Sequence, residues 1–145
     1  METNTLGKNF QDGETIIRQG EYGHCMYVIQ QGQVEIIREL DDNRVRLAVR
    51  QKGEFFGEMA IFEREVRSAT VRALGNARVL TIDKKNFLRR IHEDPSLAYR
   101  MVQTMSRRIR ELGVEVTQLR TALGEFPNRS AAQTNANLTE AGNGN

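Results

Sequence analysis

Cysteine is nearly absent from this chain. Cys25 is the single thiol among 145 residues, so no disulfide can form within the chain. Histidine is scarce as well, and His24 and His92 together with Cys25 are too few for a metal cluster built from Cys and His. We therefore expect no metal, no cofactor and a reducing, cytoplasmic location.

Excess charge of one sign and long apolar runs are also missing. The 21 Lys and Arg residues and 19 Asp and Glu residues leave a formal net charge of +2, which argues neither for nucleic acid nor for a membrane surface. No stretch approaches the roughly 18 apolar residues of a membrane span, and residues 1–5 lack the basic start of a signal peptide. With 39% apolar residues, the chain has enough for one core.

Short apolar runs separated by glycines fill the chain from residue 10 to about residue 82. The clearest strands are rich in β-branched residues or alternate in polarity, and they cover 26–29, 34–37, 44–49 and 78–82. Gly32 and Gly75 are among the glycines that would separate such strands. The pattern is typical of a sandwich or barrel and predicts an antiparallel β unit over residues 10–82. Together with a short helix over 84–91, this unit would form a domain of residues 10–94, after an N-terminal extension of residues 1–9.

The hydrophobic period changes from that of strands to that of helices after Asp83. Asp83 can cap a short helix over 84–91, and Pro95 is well placed in the first turn of a second helix over 95–124. Gly113, inside this helix, costs up to about 1 kcal/mol relative to alanine, so we expect either a close approach of another group or a bend there. Residues 125–145 turn to Asn, Ala, Thr, Gly and Ser, which predicts a disordered tail.

The second helix carries an apolar seam. Its residues repeat at spacings of four and three over more than three heptads, as in a coiled coil; they are Val102, Met105, Ile109, Leu112, Val116, Leu119 and Leu123. With Val102 at heptad position a, Glu115 falls at g and Arg120 at the next e, so the charges fit a parallel homodimer. The alternative is that the stripe packs on the β unit, as most amphipathic helices do.

The segment Phe56-Gly57-Glu58-Met59-Ala60-Ile61, followed by Arg67-Ser68-Ala69-Thr70-Val71, combines features that suit a small phosphate ester. Gly57 allows a close backbone approach, and a short helix after it would aim N–H groups at an anion. The planar fork of Arg67 can bind two phosphate oxygens. Glu58 precedes apolar residues, so a buried carboxylate there needs donors such as a hydroxyl. An ion pair between Glu58 and Arg67 that merely braces a loop fits the spacing equally well.

The exact residue order of this segment closely resembles the phosphate-binding cassette of the cyclic nucleotide-binding domain family. Residues 10–20 and 27–34 are similar to the opening signature and next strand of that family, and 67–119 resembles its catabolite activator branch without a gap. The resemblance covers residues 10–123. It implies an α+β fold, namely a jelly-roll-like antiparallel β-roll with a short cassette helix, flanking helices and a long C-terminal helix that dimerises.

The resemblance also implies roles for the cassette residues. The backbone N–H groups of Gly57, Met59 and Ala60 would bind the cyclic phosphate. Arg67 would bind the exocyclic oxygens, and Glu58 would bind the ribose 2′-hydroxyl.

Further positions follow from the same resemblance. Ser68 would add a hydroxyl donor near the phosphate or purine. The purine would lie against three apolar residues of the β-roll, namely Ile36, Leu47 and Val49. Leu112 stands where the activator branch has hydroxyl residues that contact adenine, so that hydrogen-bonded cover is missing. Either the purine would have an apolar contact there, or the preferred base differs.

The function implied is that of a stand-alone cyclic nucleotide-binding regulatory protein, with cyclic AMP as the ligand and cyclic GMP as the alternative. Repacking of the C-terminal helix would signal to a downstream protein. A nucleotide-independent dimerisation module of the same fold is the other interpretation. We expect no enzyme, because no nucleophile with an adjacent base is evident, and no direct binding of DNA or membrane.

Overall fold

The structure is a computed structural model that describes residues 7–64 and 66–125. The strands are β1 Gly7–Phe10, β2 Thr15–Ile17, β3 Cys25–Leu40, β4 Asn43–Gln51, β5 Phe55–Phe56 and β6 Thr70–Asp83, and the helices are α1 Met59–Phe62, α2 Lys84–Glu93 and α3 Pro95–Ala122. The chain divides into two compact units between Asp94 and Pro95. The predicted tail beyond Glu125 lies outside the described residues.

The first unit is an antiparallel sheet. Its strands follow the order β1-β6-β3-β4, while β2 also pairs with β6 and β5 with β3. The predicted class, an antiparallel β fold with helices and a long C-terminal helix, is confirmed. Residues 7–9 were expected in the N-terminal extension but belong to β1, which pairs with β6 from Gly7 opposite Leu80 to Phe10 opposite Ala77.

Gly32 and Gly75 lie inside strands, so the separations predicted at these glycines are wrong. The strands expected at 26–29 and 34–37 form one strand, β3, whose register against β6 shifts on either side of Gln31. Gly32 has a φ of +80°, and a Cβ built on it would overlap the carbonyl oxygen of Asn76. A bulge at a glycine bends the strand without ending it.

The core of this unit includes one cluster of buried side chains. Its cluster is made of buried apolar side chains from β2, β3, β5 and β6, namely Ile17, Ile29, Val34, Phe56, Val71, Ala73, Ala77 and Val79. Tyr27 stacks on Phe56 with 5.1 Å between the ring centroids. Ile36 also packs against this cluster. Because Phe56 is the last residue of β5, the cluster reaches the strand end where the Gly57 turn begins.

This unit has two short helices, α1 after β5 and α2 after β6. Helix α1 is one turn long and buries Ile61, while its Phe62 meets Phe87 of α2 edge to face at 5.5 Å. The side chain of Asp83 caps α2 by accepting from the amide of Asn86 at 2.8 Å, as the sequence predicts. Helix α2 ends at Glu93, two residues beyond the predicted end.

Helix α3, described by itself, is continuous over 28 residues. The expected close approach at Gly113 is not observed, because a Cβ built there meets no atom of the described residues within 4 Å. Most of the predicted seam is exposed, with Ile109 70% and Leu119 55% accessible. Among the described helices, none has both the length and the apolar character needed to cross a membrane.

Candidate functional site

The turn at Gly57 connects the core to α1. Phe56 is 1% exposed, and Gly57 follows it with a φ of +74°, a conformation that favours glycine. A Cβ on Gly57 would lie 2.9 Å from Cδ1 of Ile17 and 3.0 Å from Nη1 of Arg67. The glycine therefore provides both the turn and the space for a close neighbour.

That neighbour is the guanidinium group of Arg67. Its Nη1 donates to the Gly57 carbonyl at 2.8 Å, and its Nη2 donates to the Cys25 carbonyl at 2.7 Å. The backbone of Arg67 is tied to the loop before β3, because its N–H donates to the Glu21 carbonyl at 2.8 Å. Two backbone carbonyls thus hold the guanidinium.

Gly23 lies directly under this guanidinium. A Cβ built on Gly23 would overlap Nε, Cζ and Nη2 of Arg67. The sequence analysis missed both Gly23 and the carbonyl of Cys25, and no motif marks them, because their importance depends on where the side chain of Arg67 comes to rest. These positions appear only once β3 and the cassette are placed together.

A cavity of about 250 Å³ lies beside Arg67. Arg18, His24 and Tyr27 are among the residues that line it. Burial raises the pKa of Tyr27 to about 12, helped by the Cys25 thiol and opposed by the charge of Arg67. Tyr27 is therefore a neutral phenol at physiological pH, and the charge of Arg67 stays available to an anion.

The other predicted cassette residues lie beside this pair. Glu58 is half-buried at the N-cap position of α1, Met59 is 58% exposed and Ser68 is exposed next to Arg67. The amide of Ala60 already donates to the Gly57 carbonyl, over a long 3.3 Å. The structure therefore brings Gly57 and Arg67 into contact, with their sequence neighbours around them.

The predicted purine-facing residues do not share one surface. Ile36 pairs with Ala48, whereas Val49 pairs with Glu35. Because successive side chains of a strand point to opposite faces, Ile36 and Val49 lie on opposite faces of the sheet. The correction is that Ala48, which the sequence analysis missed, shares the face of Ile36 and Val49 does not.

The remaining two predicted contacts are exposed. Leu47 lies in β4 where the register against β3 shifts, and it is 44% exposed. Leu112 belongs to α3 in the other unit and is 57% exposed. Neither residue is part of the core cluster around Phe56.

A second feature missed from the sequence is a buried carboxylate on β3. Glu35 is 8% exposed and accepts hydrogen bonds from Arg46 at 2.7 Å and from Arg72 at 2.6 Å. The hydrogen bonds from Arg72 lower the pKa of Glu35, burial opposes that shift, and Arg46 adds to it.

Among the described residues, no group of three or more His, Cys, Asp and Glu side chains could hold a metal ion.

Comparisons with known proteins agree on one family. Residues 7–94 match the family model described as the cyclic nucleotide-binding domain. A protein of Rhodopseudomonas palustris named as a potassium channel protein is 36% identical over 115 residues, which are 77% of this chain and 27% of that protein. A cyclic AMP receptor protein of Thermus thermophilus is 30% identical over 111 residues, 76% of this chain and 51% of that protein.

A solved structure extends the likeness to the fold. The crystal structure of the Thermus thermophilus catabolite activator protein has a TM-score of 0.70 at 29% identity, covering 78% of this chain and 54% of that one. The chain thus spans about half, or less, of the length of these relatives.

Proposed function

Because the chain belongs to the cyclic nucleotide-binding domain family, we propose that it is a regulatory protein whose ligand is a cyclic mononucleotide bound at the Gly57 turn and Arg67. The observation that carries the proposal is the 2.8 Å contact between the Arg67 guanidinium and the Gly57 carbonyl. It places a permanent cation at a glycine turn that a ligand can approach closely. Cyclic AMP is the first ligand to test, since one relative is named a cyclic AMP receptor protein, and cyclic GMP is the second.

The phosphate contacts of this proposal use donors that the fold places together. A guanidinium has five N–H donors, and the bonds to the Gly57 and Cys25 carbonyls use two of them. The others can bind the exocyclic phosphate oxygens. The amides of Gly57 and Met59 bind the same phosphate, and the amide of Ala60 exchanges its long internal bond for a ligand oxygen.

The sugar and base are bound around this phosphate site. Glu58 accepts from the ribose 2′-hydroxyl, and Ser68 donates near the phosphate. The purine packs on the face of Ile36, because Ile36 contacts the core cluster that also contains Phe56, the residue before the Gly57 turn.

We further propose that α3 forms a parallel homodimer. Its heptad residues are exposed in the described chain, with Val102 65% and Ile109 70% accessible, and such a stripe is stabilised by a second copy. Ligand binding tightens the Gly57 turn and α1, and the contact of Phe62 with Phe87 passes this change to α2. The long helix then repacks, and a cytoplasmic protein partner detects it.

The test is a calorimetric titration of the purified chain with cyclic AMP, cyclic GMP and a cyclic dinucleotide. Sedimentation velocity is measured before and after, and the ligand is analysed by chromatography after incubation. We expect saturable one-to-one binding of a cyclic mononucleotide, with the ligand intact after incubation. Absence of heat with all three ligands contradicts the proposal. Appearance of the 5′-monophosphate in the chromatogram contradicts the non-enzymatic role.

A nucleotide-independent dimerisation module is the second candidate. It is favoured by the carbonyl partners of Arg67, which satisfy two of its N–H groups and brace the loop without ligand. Thermal melting separates the two functions. A ligand at 100 times its dissociation constant adds about 2.7 kcal/mol to the free energy of unfolding, whereas a nucleotide-independent module melts at the same temperature with or without it.

A further inference from the structure

The side chain of Arg67 rests on the backbone of Gly23, a position that no motif marks. Three atoms of the guanidinium occupy the place where a Cβ of residue 23 would stand. The same guanidinium reaches the carbonyl of Gly57 at 2.8 Å and the carbonyl of Cys25 at 2.7 Å. Gly23 therefore leaves space for the Arg67 guanidinium, whose Nη1 and Nη2 are already held by backbone carbonyls.

Backbone conformation does not explain a glycine at this position. Gly23 is absent from the glycines with positive φ, so an alanine could adopt its backbone conformation without that strain. The methyl group of an alanine at residue 23 would overlap the end of the flexible Arg67 side chain. A methyl group at residue 23 therefore displaces the guanidinium and leaves the β unit folded.

We propose that Gly23 is a positioning residue for phosphate recognition, because its missing side chain seats the Arg67 guanidinium against Gly57 and Cys25. This inference rests on the proposed function. In this position the Arg67 guanidinium is ordered before the ligand binds. Its remaining N–H donors lie at the turn that contacts the cyclic phosphate. A donor that is already in place binds more tightly than one that must be ordered on binding.

The test is a double-mutant cycle read by calorimetry with cyclic AMP, in the full chain. Gly23→Ala is expected to weaken binding about tenfold or more. In the Arg67→Ala background the same change is expected to alter binding by less than about twofold, because there is no guanidinium left to displace. Asp42→Ala is the control, since Asp42 is exposed in a turn and does not line the cavity beside Arg67, and it should bind like the wild type.

A second measurement needs no ligand. In NMR spectra of the free protein, the Nη–H signals of Arg67, assigned by their loss in Arg67→Ala, should be resolved in the wild type and averaged in Gly23→Ala. If the Nη–H signals are the same in Gly23→Ala as in the wild type, Gly23 does not position the guanidinium. Equal or tighter binding of cyclic AMP by Gly23→Ala, or the same loss in both backgrounds, overturns its role in recognition. If the wild type binds no cyclic mononucleotide, the proposed function fails along with that role. The NMR signals then still test whether Gly23 positions the Arg67 guanidinium.

Discussion

Arg72 and Glu35 lie directly opposite each other in neighbouring strands, and Nη2 of Arg72 donates to Oε1 of Glu35 at 2.6 Å. The other carboxylate oxygen accepts from Nη2 of Arg46 at 2.7 Å. Since these residues belong to β6, β3 and β4, one carboxylate joins three adjacent strands. β4 otherwise pairs with β3 alone among the described strands, so this cluster ties it to β6 as well.

Glu35→Gln should lower the free energy of unfolding. The neutral amide cannot replace the carboxylate as an acceptor for two guanidinium groups, so both arginines lose a charged partner. We expect the free energy of unfolding to fall by about 1–3 kcal/mol. The lower end of the buried-pair range applies because the side chain of Arg46 is 54% exposed. Urea denaturation measures the change. Glu21→Gln breaks only an exposed pair and should stay within about 0.5 kcal/mol of wild type.

The stabilisation by Glu35 should depend on pH. Its pKa is lowered in the folded state, mainly by the hydrogen bonds from Arg72, so its contribution is present above the unfolded pKa, about 4.3 for glutamate. That contribution is lost as the pH falls through the lowered folded value. The difference in unfolding free energy between wild type and Glu35→Gln should therefore be largest near neutral pH and shrink below about pH 4. A difference that stays constant down to pH 3 would contradict the ion-pair explanation.

Arg67→Ala should weaken binding of cyclic AMP by about 2–5 kcal/mol, since an anion in a desolvated site loses its charged partner. Calorimetry measures the loss. Arg38→Ala removes the same charge from an exposed position of β3 and should leave the affinity unchanged. Equal binding by wild type and Arg67→Ala would show that the ligand site lies elsewhere.

The Gly57 turn and Arg67 could be predicted because their chemistry is local. A glycine with positive φ and a planar cation near it are specified by residue type and short spacing. The cap of α2 at Asp83 and the start of α3 at Pro95 were predictable for the same reason, because each depends on a single residue at a helix end.

Residues that act across strands could not be predicted in this way. Glu35 meets Arg46 and Arg72 only in the observed register, and a shift of one residue would turn them to different faces. The error at Val49 has this origin, because a strand sequence that is apolar at successive positions does not say which face is buried. Gly23 was missed because the feature that makes it matter is a long side chain from residue 67.

Gly113→Ala should raise the stability of α3 by about 0.5–1 kcal/mol, because glycine loses more backbone entropy than alanine in a helix. The added methyl group meets no described atom within 4 Å, so no clash opposes the gain. Thermal melting followed by circular dichroism measures it. A lower melting temperature would indicate that a second copy or another partner approaches the helix closely at Gly113.

Ile109→Asp should dissociate the proposed homodimer. Ile109 is 70% exposed in the described chain and falls at heptad position a, where two copies of a parallel coiled coil would bring two carboxylates together in an apolar seam. We expect the dissociation constant to rise tenfold or more, about 1.4 kcal/mol. The control is Val114→Asp, which makes the same kind of change at a 53% exposed residue on the outer position f. Sedimentation velocity over a concentration series measures both variants against wild type. Equal weakening by the two changes would assign the effect to charge on the helix instead of the seam, and a wild type that stays monomeric throughout would remove the dimer from the proposed function.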